Sequence, residues 1–150
     1  MLITTQPEAR AHVSRIVMYF ETLSPASLDQ LDACYTPDAY FKDPFNEVRG
    51  LAEVRGIFSH MYAALKQPRF VVTASIAEDQ QCFLSWRFEF YFKNFEPATL
   101  QTIHGGSHLK FRADGLVEFH RDYWDAAEEL YEKLPWVGGL MRWLKKRARQ

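Results

Sequence analysis

The chain has 150 residues, of which 47% are hydrophobic, 25% charged and 15% aromatic, and its formal net charge is −1. This composition is typical of one soluble globular domain and excludes disordered and fibrous proteins, while the near-neutral charge gives no reason to expect a nucleic-acid partner. The sequence has no apolar run of membrane-span length, no signal-like N-terminus, and no disulfide or zinc spacing of its two cysteines. We therefore expect a cytoplasmic location.

The first part of the chain predicts three helices and one short strand. Apolar residues recur at helical spacing after Pro7, and a second, short helix begins after Ser24, whose side chain can cap it. Residues 40–43 predict a short extended segment that ends at the following proline. A third helix begins after Gly50. The apolar positions of the first and third helices are Val13, Ile16, Val17, Phe20, Leu23, Val54, Ile57, Phe58, Met61 and Leu65.

From residue 69 onward the apolar residues recur at every second position, which predicts strands. The first covers residues 70–76, and the next two alternate between apolar and mostly polar side chains. An Asp-Gly pair at residues 114–115 favours a hairpin turn, and the last strand covers residues 116–124. The remaining residues, 126–149, have a helical pattern.

This order of elements predicts an α+β fold in which a four-stranded antiparallel meander and one small extra strand curve around three helices. Such a sheet forms a cone with an apolar interior of ligand size. We expect residues 1–125 to form this domain and residues 126–150 a helical extension. Residues 1–141 carry 13 Lys and Arg against 19 Asp and Glu, a net −6, whereas residues 142–150 carry five cations and no acid. The tail is therefore a separate electrostatic feature.

Three segments resemble the NTF2-like superfamily, which includes ketosteroid isomerases, limonene-epoxide hydrolases and SnoaL-like polyketide cyclases. Residues 35–44 match the Y-x-x-D-A-x-x-x-D-P segment of the isomerases. Residues 86–90 are similar to the strand that lines their pocket, and residues 120–125 to the closing strand of SnoaL-like proteins and epoxide hydrolases. The resemblance covers about residues 8–125. It implies the same cone that the elements predict.

The resemblance implies roles for four residues. Asp43 matches the aspartate that moves the proton in the isomerases, and Tyr19, 24 residues earlier, matches their oxyanion-hole tyrosine. Ser107 stands where the isomerases carry a protonated aspartate, which argues against a 3-oxo-steroid isomerase. Asp122 matches an acid/base carboxylate of the epoxide hydrolases.

The chemistry of these residues leaves alternatives open. The aromatic neighbours of Asp43 suit a general base, and the alternative is a carboxylate that caps the turn before Pro44 in solvent. The Tyr19 hydroxyl either faces the pocket or makes a structural hydrogen bond. His120 and Asp122 share one face of a strand and would form an acid/base pair in the pocket, whereas a register slip of one residue would expose both.

Aromatic and apolar side chains on the inward strand faces are the predicted ligand contacts, and the alternative is that their rings simply fill the cone. His104 and His108 lie on one strand face among cations and without a nearby carboxylate, which disfavours a metal site. We therefore expect no metal and no cofactor. The predicted contacts are Phe41, Trp86, Phe88, Phe90, Ser107, Leu109 and Trp124.

The function favoured by the sequence is a small cofactor-independent enzyme that acts by acid/base chemistry on a hydrophobic small molecule, as an isomerase, cyclase or hydrolase. The alternatives are a non-catalytic binding module for an apolar ligand and a dimeric scaffold whose basic tail contacts a membrane or a partner. We also expect a homodimer, because the outward strand residues mix both charge signs with aromatic rings. These outward residues are Arg87, Glu89, Tyr91, His104, His108 and Lys110.

Residues 139–150 combine an apolar helical face, formed by Leu140, Trp143 and Leu144, with five cations. This pattern fits an interfacial helix on an anionic bilayer, and it also fits a cover over the open end of the cone. The sequence favours the cover because the apolar face is only two turns long.

Overall fold

Within residues 6–149, which a computed structural model describes, the chain forms four α-helices, two 3-10 helices and six strands. Residues 1–5, predicted to lack a signal, and residue 150 of the tail lie outside the described part. The elements up to the sheet meander are α1 Gln6–Glu21, a 3-10 helix Ala26–Ala33, β1 Tyr35–Lys42, β2 Glu47–Arg49 and α2 Leu51–Ala64. The meander consists of β3 Leu65–Glu78, β4 Gln81–Phe92, β5 Gln101–Phe111 and β6 Val117–Tyr123. The C-terminal elements are α3 Ala126–Glu129, a 3-10 helix Tyr131–Lys133 and α4 Pro135–Ala148.

The six strands form one curved sheet in the order β2-β1-β6-β5-β4-β3, which confirms the predicted α+β class. The meander from β3 to β6 is antiparallel throughout, as predicted. The small extra strand is longer than predicted, and it pairs antiparallel with β2 and parallel with β6. The sheet is mixed because the last strand of the meander returns to lie beside β1.

A bulge in β1 accommodates its proline. Tyr35 lies opposite Val117 and Tyr40 lies opposite Phe119. Between these two pairs β1 therefore contains three more residues than β6. Pro37, which lies in this interval, has no N–H to contribute to a strand ladder. The bulge separates Tyr35, which is fully buried, from the regular end of the strand.

The inward face of the sheet is apolar and packs against α1 and α2. Aromatic rings in contact run along this face: Phe70 and Phe88 stack with centroids 4.5 Å apart, and the tilted rings of Phe88 and Phe90 have centroids 5.3 Å apart. Each buried ring contributes about 1.5–3 kcal/mol to the free energy of unfolding. The side chains of β4 that alternate into this core are Cys82, Leu84, Trp86, Phe88 and Phe90.

Glu89 lies on the outer face of the sheet with only 8% of its surface exposed. Its Oε1 accepts a hydrogen bond from Arg87 Nε at 2.7 Å, and its Oε2 accepts from the guanidinium of Arg69. The hydrogen bonds from Arg87 and then Arg69 hold the pKa of Glu89 below its ordinary value of 4.5. The ionised carboxylate therefore stabilises the pairing of β3 with β4.

Glu89→Gln is expected to flatten the acid side of the stability curve. Because the folded pKa of Glu89 is depressed, its contribution is fully present above the ordinary value of 4.5 and is lost as the pH falls through the folded value. Between about pH 5 and about pH 3 the melting midpoint of the wild type should fall more steeply than that of the variant. Circular dichroism melts at each pH measure this, and parallel slopes in the two proteins would contradict it.

The outer face also exposes apolar side chains. Ile76, Phe83 and Tyr123 are 72%, 42% and 47% exposed, and together with His108 they line an open depression of about 570 Å³. This surface overlaps the one predicted to form a homodimer. The dimer stays a prediction.

The C-terminal segment follows β6 directly. Asp125 caps α3, since its side chain accepts hydrogen bonds from the backbone N–H groups of Ala127 and Glu128. α4 packs mainly on the preceding 3-10 helix. No helix in residues 6–149 has the length and hydropathy needed to cross a membrane.

Candidate active site

β6 places His120 and Asp122 on the inward face of the sheet. His120 lies opposite Leu109 and Asp122 lies opposite Ser107 in the antiparallel register with β5. His120 is 3% exposed, and the side chain of Asp122 is 15% exposed. A register shift near the start of β6 explains why Val117 is buried on the same strand, three positions before His120. The sequence left open whether His120 and Asp122 face the interior or the solvent, and in the structure both face the interior.

Five side chains form a continuous hydrogen-bonded relay in this interior. Trp86 Nε1 donates to Ser107 Oγ at 2.8 Å, and Ser107 Oγ donates to Asp122 Oδ1 at 2.5 Å. His120 Nε2 lies 2.7 Å from the same Oδ1, and His120 Nδ1 lies 2.8 Å from the hydroxyl of Tyr35. The relay joins β1, β4, β5 and β6 through one carboxylate.

The direction of each hydrogen bond follows from the chemistry of the groups. A carboxylate oxygen accepts, so a neutral His120 imidazole that donates from Nε2 to Asp122 offers Nδ1 as the acceptor for Tyr35. Burial, followed by the nearby charge of Asp122, raises the pKa of Tyr35 well above its ordinary range. Tyr35 therefore keeps its proton and can donate it to Nδ1 of a neutral imidazole.

Trp86 is held in place by the backbone of β5. A Cβ atom on Gly105, which lies opposite Trp86, would come within 2.5 Å of the indole Cη2. Glycine is thus the only residue type that leaves room for the indole at this position. Phe70 packs edge-on against the same ring, with centroids 5.6 Å apart. These contacts hold the indole N–H against Ser107.

The relay forms the polar wall of a small cavity. Ser107, His120 and Asp122 lie on this wall. The cavity measures about 20 Å³, which is room for about one water molecule. The drug-sized pocket expected from the sequence is therefore not open in this structure, because aromatic side chains occupy the space. The apolar wall consists of Phe20, Phe58, Phe70 and Val72.

Asp43 does not join the relay. Its Oδ1 accepts hydrogen bonds from the backbone N–H groups of Phe45 and Asn46, both at 2.7 Å, so it caps its own turn. Asp43 and Asp122 do line one open depression of about 610 Å³ together with Trp124. Asp122 thus borders both the small cavity and this depression.

Tyr19 makes the structural hydrogen bond that the sequence left as its alternative. Its hydroxyl donates to the carbonyl oxygen of Ser27 at 2.9 Å. Burial raises the pKa of Tyr19 to about 12. The phenol that bonds to His120 is instead Tyr35, which the sequence analysis did not single out. Its signal was present, because Tyr35 opens the matched segment of residues 35–44.

The other predicted ligand contacts fall into three groups. The ring of Phe41 packs against the imidazole of His120 with 4.6 Å between centroids. Leu109 is fully buried and lies opposite His120 on the neighbouring strand. Trp124 is partly buried at the edge of the core, where its ring packs edge-on against that of Phe45 with 5.5 Å between centroids. Phe88 and Phe90 belong to the aromatic rings of the core and do not line the small cavity.

The two histidines of β5 lie apart from the relay. His104 is close to Glu129 of α3, with 3.6 Å between Nδ1 and the carboxylate, and His108 Nε2 lies 2.9 Å from the side-chain oxygen of Gln81. Among residues 6–149, no three His, Cys, Asp or Glu side chains are grouped so that they could hold a metal ion.

A curved sheet around N-terminal helices, with polar side chains on the inward face of its last strands, defines the NTF2-like class of proteins. The family model of the SnoaL-like domain matches residues 16–120, and the chain belongs to this family. The membership predicted from the motifs is thereby confirmed. No curated protein matches the chain.

Solved structures share this fold at low sequence identity. A candidate SnoaL-like polyketide cyclase from Jannaschia sp. CCS1 has a TM-score of 0.70 and 16% identity, over 83% of this chain and 92% of its own. A limonene-epoxide-hydrolase-like (LEH-like) epoxide hydrolase from M. tuberculosis has a TM-score of 0.66 and 14% identity, over 96% of both chains. A protein of ketosteroid isomerase-like fold from Catenulispora acidiphila, in complex with trimethylamine, has a TM-score of 0.67 and 16% identity, over 84% of this chain and 92% of its own. These similarities show the NTF2-like cone.

Proposed function

We propose that this chain is a small acid/base enzyme in which Asp122 accepts a proton from a hydrophobic small molecule or from a water molecule that attacks it. The observation that carries this proposal is the relay on one wall of an otherwise apolar cavity. Burying a carboxylate is unfavourable, and a purely structural interior is served as well or better by apolar side chains. A functional role explains why the charge is there.

On this proposal, the two oxygens of Asp122 have separate tasks. Both of its described hydrogen bonds, from Ser107 and His120, end on Oδ1, so Oδ2 is the atom that takes the proton. The two donors hold the carboxylate in one orientation before and after the transfer. Tyr35 orients the imidazole through Nδ1 and is a positioning residue.

The reaction class follows from where the proton goes next. Return of the proton from Asp122 to a different atom of the substrate gives isomerisation or cyclisation. When a water molecule attacks a carbon of an epoxide and breaks its bond to the ring oxygen, Asp122 takes a proton from the water, and return of that proton to the released oxygen completes a hydrolysis. The names of two structural neighbours, a candidate polyketide cyclase and an epoxide hydrolase, support this range.

The substrate class follows from the lining of the two spaces at Asp122. The small cavity has an apolar wall, and the outer depression has the indole of Trp124 beside the carboxylate. We place the body of a hydrophobic substrate in the depression and its reacting end at Asp122. Entry into the cavity requires the rings of Phe20, Phe58 or Phe70 to move, since about 20 Å³ is too small for a substrate group.

One observation favours the second candidate, a binding module without chemistry. The aromatic side chains leave only about 20 Å³ inside the cone, so no preformed substrate pocket surrounds the relay. On this alternative the hydrogen bonds of the relay have only the structural role of joining four strands, and the ligand binds in the outer depression alone.

A proton-exchange screen separates the two candidates. The purified chain is incubated in D2O with a panel of hydrophobic ketones and, separately, with hydrophobic epoxides, followed by NMR for deuterium incorporation and mass spectrometry for diols. Turnover of one class by the wild type and its loss in Asp122→Asn is the expected result. Calorimetric binding of panel members without any turnover would overturn the enzymatic proposal in favour of the binding module.

A further inference from the structure

α4 is held to the rest of the chain by one side only. Arg142 Nη1 donates to the carbonyl oxygen of Glu132 at 2.7 Å, and Lys145 Nζ lies 3.4 Å and 3.7 Å from the carboxylates of Glu128 and Glu132. Gly138 is buried against the same segment, where a Cβ would come within 2.9 Å of the Glu132 carbonyl carbon. Gly138, Arg142 and Lys145 follow the spacing i, i+4, i+7 and therefore share one side of the helix.

The opposite side of α4 is apolar and exposed. Trp136, Leu140, Trp143 and Leu144 follow the spacing i, i+4, i+7, i+8, and they are 93%, 53%, 51% and 45% exposed. The cover over the cone that the sequence favoured is thus not formed, because the helix presents its polar side to the chain. Two exposed indoles and two exposed leucines on one face form a contiguous apolar patch, which is typical of an interaction surface.

The cations that do not hold the helix lie beside this apolar face or just beyond it. The guanidinium of Arg147 lies 5.0 Å from the centre of the Trp143 ring. Lys146 and Arg149 are exposed, and within residues 6–149 the structure gives neither an ion-pair partner. Since residues 1–141 carry a net −6, an anionic surface would attract the tail and repel the body.

We propose that the exposed side of α4 docks on the surface of an anionic lipid bilayer. The two indoles would lie at headgroup level, Leu140 and Leu144 would enter the acyl boundary, and Lys146 and Arg147 would reach the lipid phosphates along their apolar stems. This inference does not depend on the proposed enzymatic function, because no residue of the relay takes part in it.

Charge and geometry together favour a bilayer over other occupants of this face. A cover over the cone needs the apolar side turned inward, but the contacts of Gly138, Arg142 and Lys145 hold the other side inward. A helix-binding groove of a second protein would need acids around an apolar floor. A planar anionic surface meets the indoles and the flanking cations at once and needs no shaped groove.

Vesicle sedimentation with the full chain tests the proposal. We expect the chain to sediment with vesicles of phosphatidylcholine and phosphatidylglycerol, to remain in solution with phosphatidylcholine alone, and to dissociate as salt is added. Tryptophan emission should shift to the blue on binding. Trp143→Gln should lower the partition coefficient by about tenfold or more and reduce the shift, since this indole is one of the two large rings on the inserted face.

Two neighbouring lysines provide a matched control. Lys146→Gln removes an exposed cation that flanks the apolar face and should lower the partition coefficient about fivefold, whereas Lys145→Gln removes one from the held side and should change it by less than about twofold. Equal losses in the two variants, or no sedimentation of the wild type with the anionic vesicles, would overturn the proposal. So would a Trp143→Gln variant that binds as well as the wild type. A change of oligomer size without vesicle binding would also overturn it, in favour of a protein partner.

Discussion

Asp122→Asn is expected to lower turnover by about 10²–10⁴-fold, the usual contribution of a general acid or base. The side-chain amide keeps an oxygen where Oδ1 accepts from Ser107 and His120, so the relay retains both hydrogen bonds. It cannot take up a proton at neutral pH. The loss should therefore appear in kcat, with a melting midpoint close to that of the wild type. Steady-state kinetics and circular dichroism melts of the two proteins measure both quantities.

Asp43→Asn is the matched control, because the family resemblance would assign the proton transfer to this residue. Asp43 caps its turn through the backbone N–H groups of Phe45 and Asn46, and an asparagine oxygen can accept the same bonds. We expect turnover to change by no more than about threefold. A large loss in Asp43→Asn together with an active Asp122→Asn would show that the relay is structural and that the reaction takes place in the outer depression.

The strands of the meander were predictable because the pattern that defines each of them lies within a short stretch of sequence. Each strand of the meander alternates between inward and outward residues, and the alternation alone gives its faces and approximate limits. The parallel pairing of β1 with β6 was not predictable from such patterns, since it joins residues 85 positions apart, as in the bond between Tyr35 and His120. This pairing brings Tyr35 into the relay, which is why a residue inside a recognised motif still had no assigned role.

The sequence indicated those candidate residues whose placement depends on strand geometry, and it was less informative for the residue that lies in a turn. His120 and Asp122 share a face because they are two apart on one strand, whereas the sequence left open which way that face points, and the register with β5 turns it inward. Asp43 precedes a proline in a turn, where a carboxylate can satisfy its own backbone as easily as serve a pocket. Which of these occurs depends on the neighbouring backbone N–H groups, and their positions cannot be read from residue types.

The filling of the interior by aromatic rings and the outward direction of the apolar face of α4 could not be predicted from the sequence, because both depend on tertiary contacts. The number of aromatic residues indicated enough apolar volume to build a cone but not whether the rings of Phe70 and Phe88 stack and close it. The apolar face of α4 was visible as a pattern. Its outward direction depends on Gly138 and Lys145 meeting the segment before the helix, which is a tertiary contact.

Gly105→Ala is expected to damage both stability and the relay, because the new Cβ would lie 2.5 Å from the indole of Trp86. Trp86 is only 6% exposed and cannot swing into solvent, so the overpacking should cost about 1–3 kcal/mol and lower the melting midpoint by about 2–12 °C. Moving the indole also withdraws its N–H from Ser107, which should reduce turnover about tenfold or more. Faster solvent exchange of the Trp86 indole N–H in NMR spectra would report the broken bond.

Gly106→Ala places the same added methyl group on the other face of the same strand and is the control for this prediction. Its Cβ would meet the ring of Phe83, which is 42% exposed on the outer face and has room to rotate away. The melting midpoint should therefore fall less than in Gly105→Ala, and both turnover and the exchange of the Trp86 indole N–H should stay near wild type. Equal damage from the two substitutions would mean that β5 tolerates no Cβ at either position for reasons of backbone alone. In that case the packing of Trp86 on Gly105 would have no special part in holding Ser107 and Asp122.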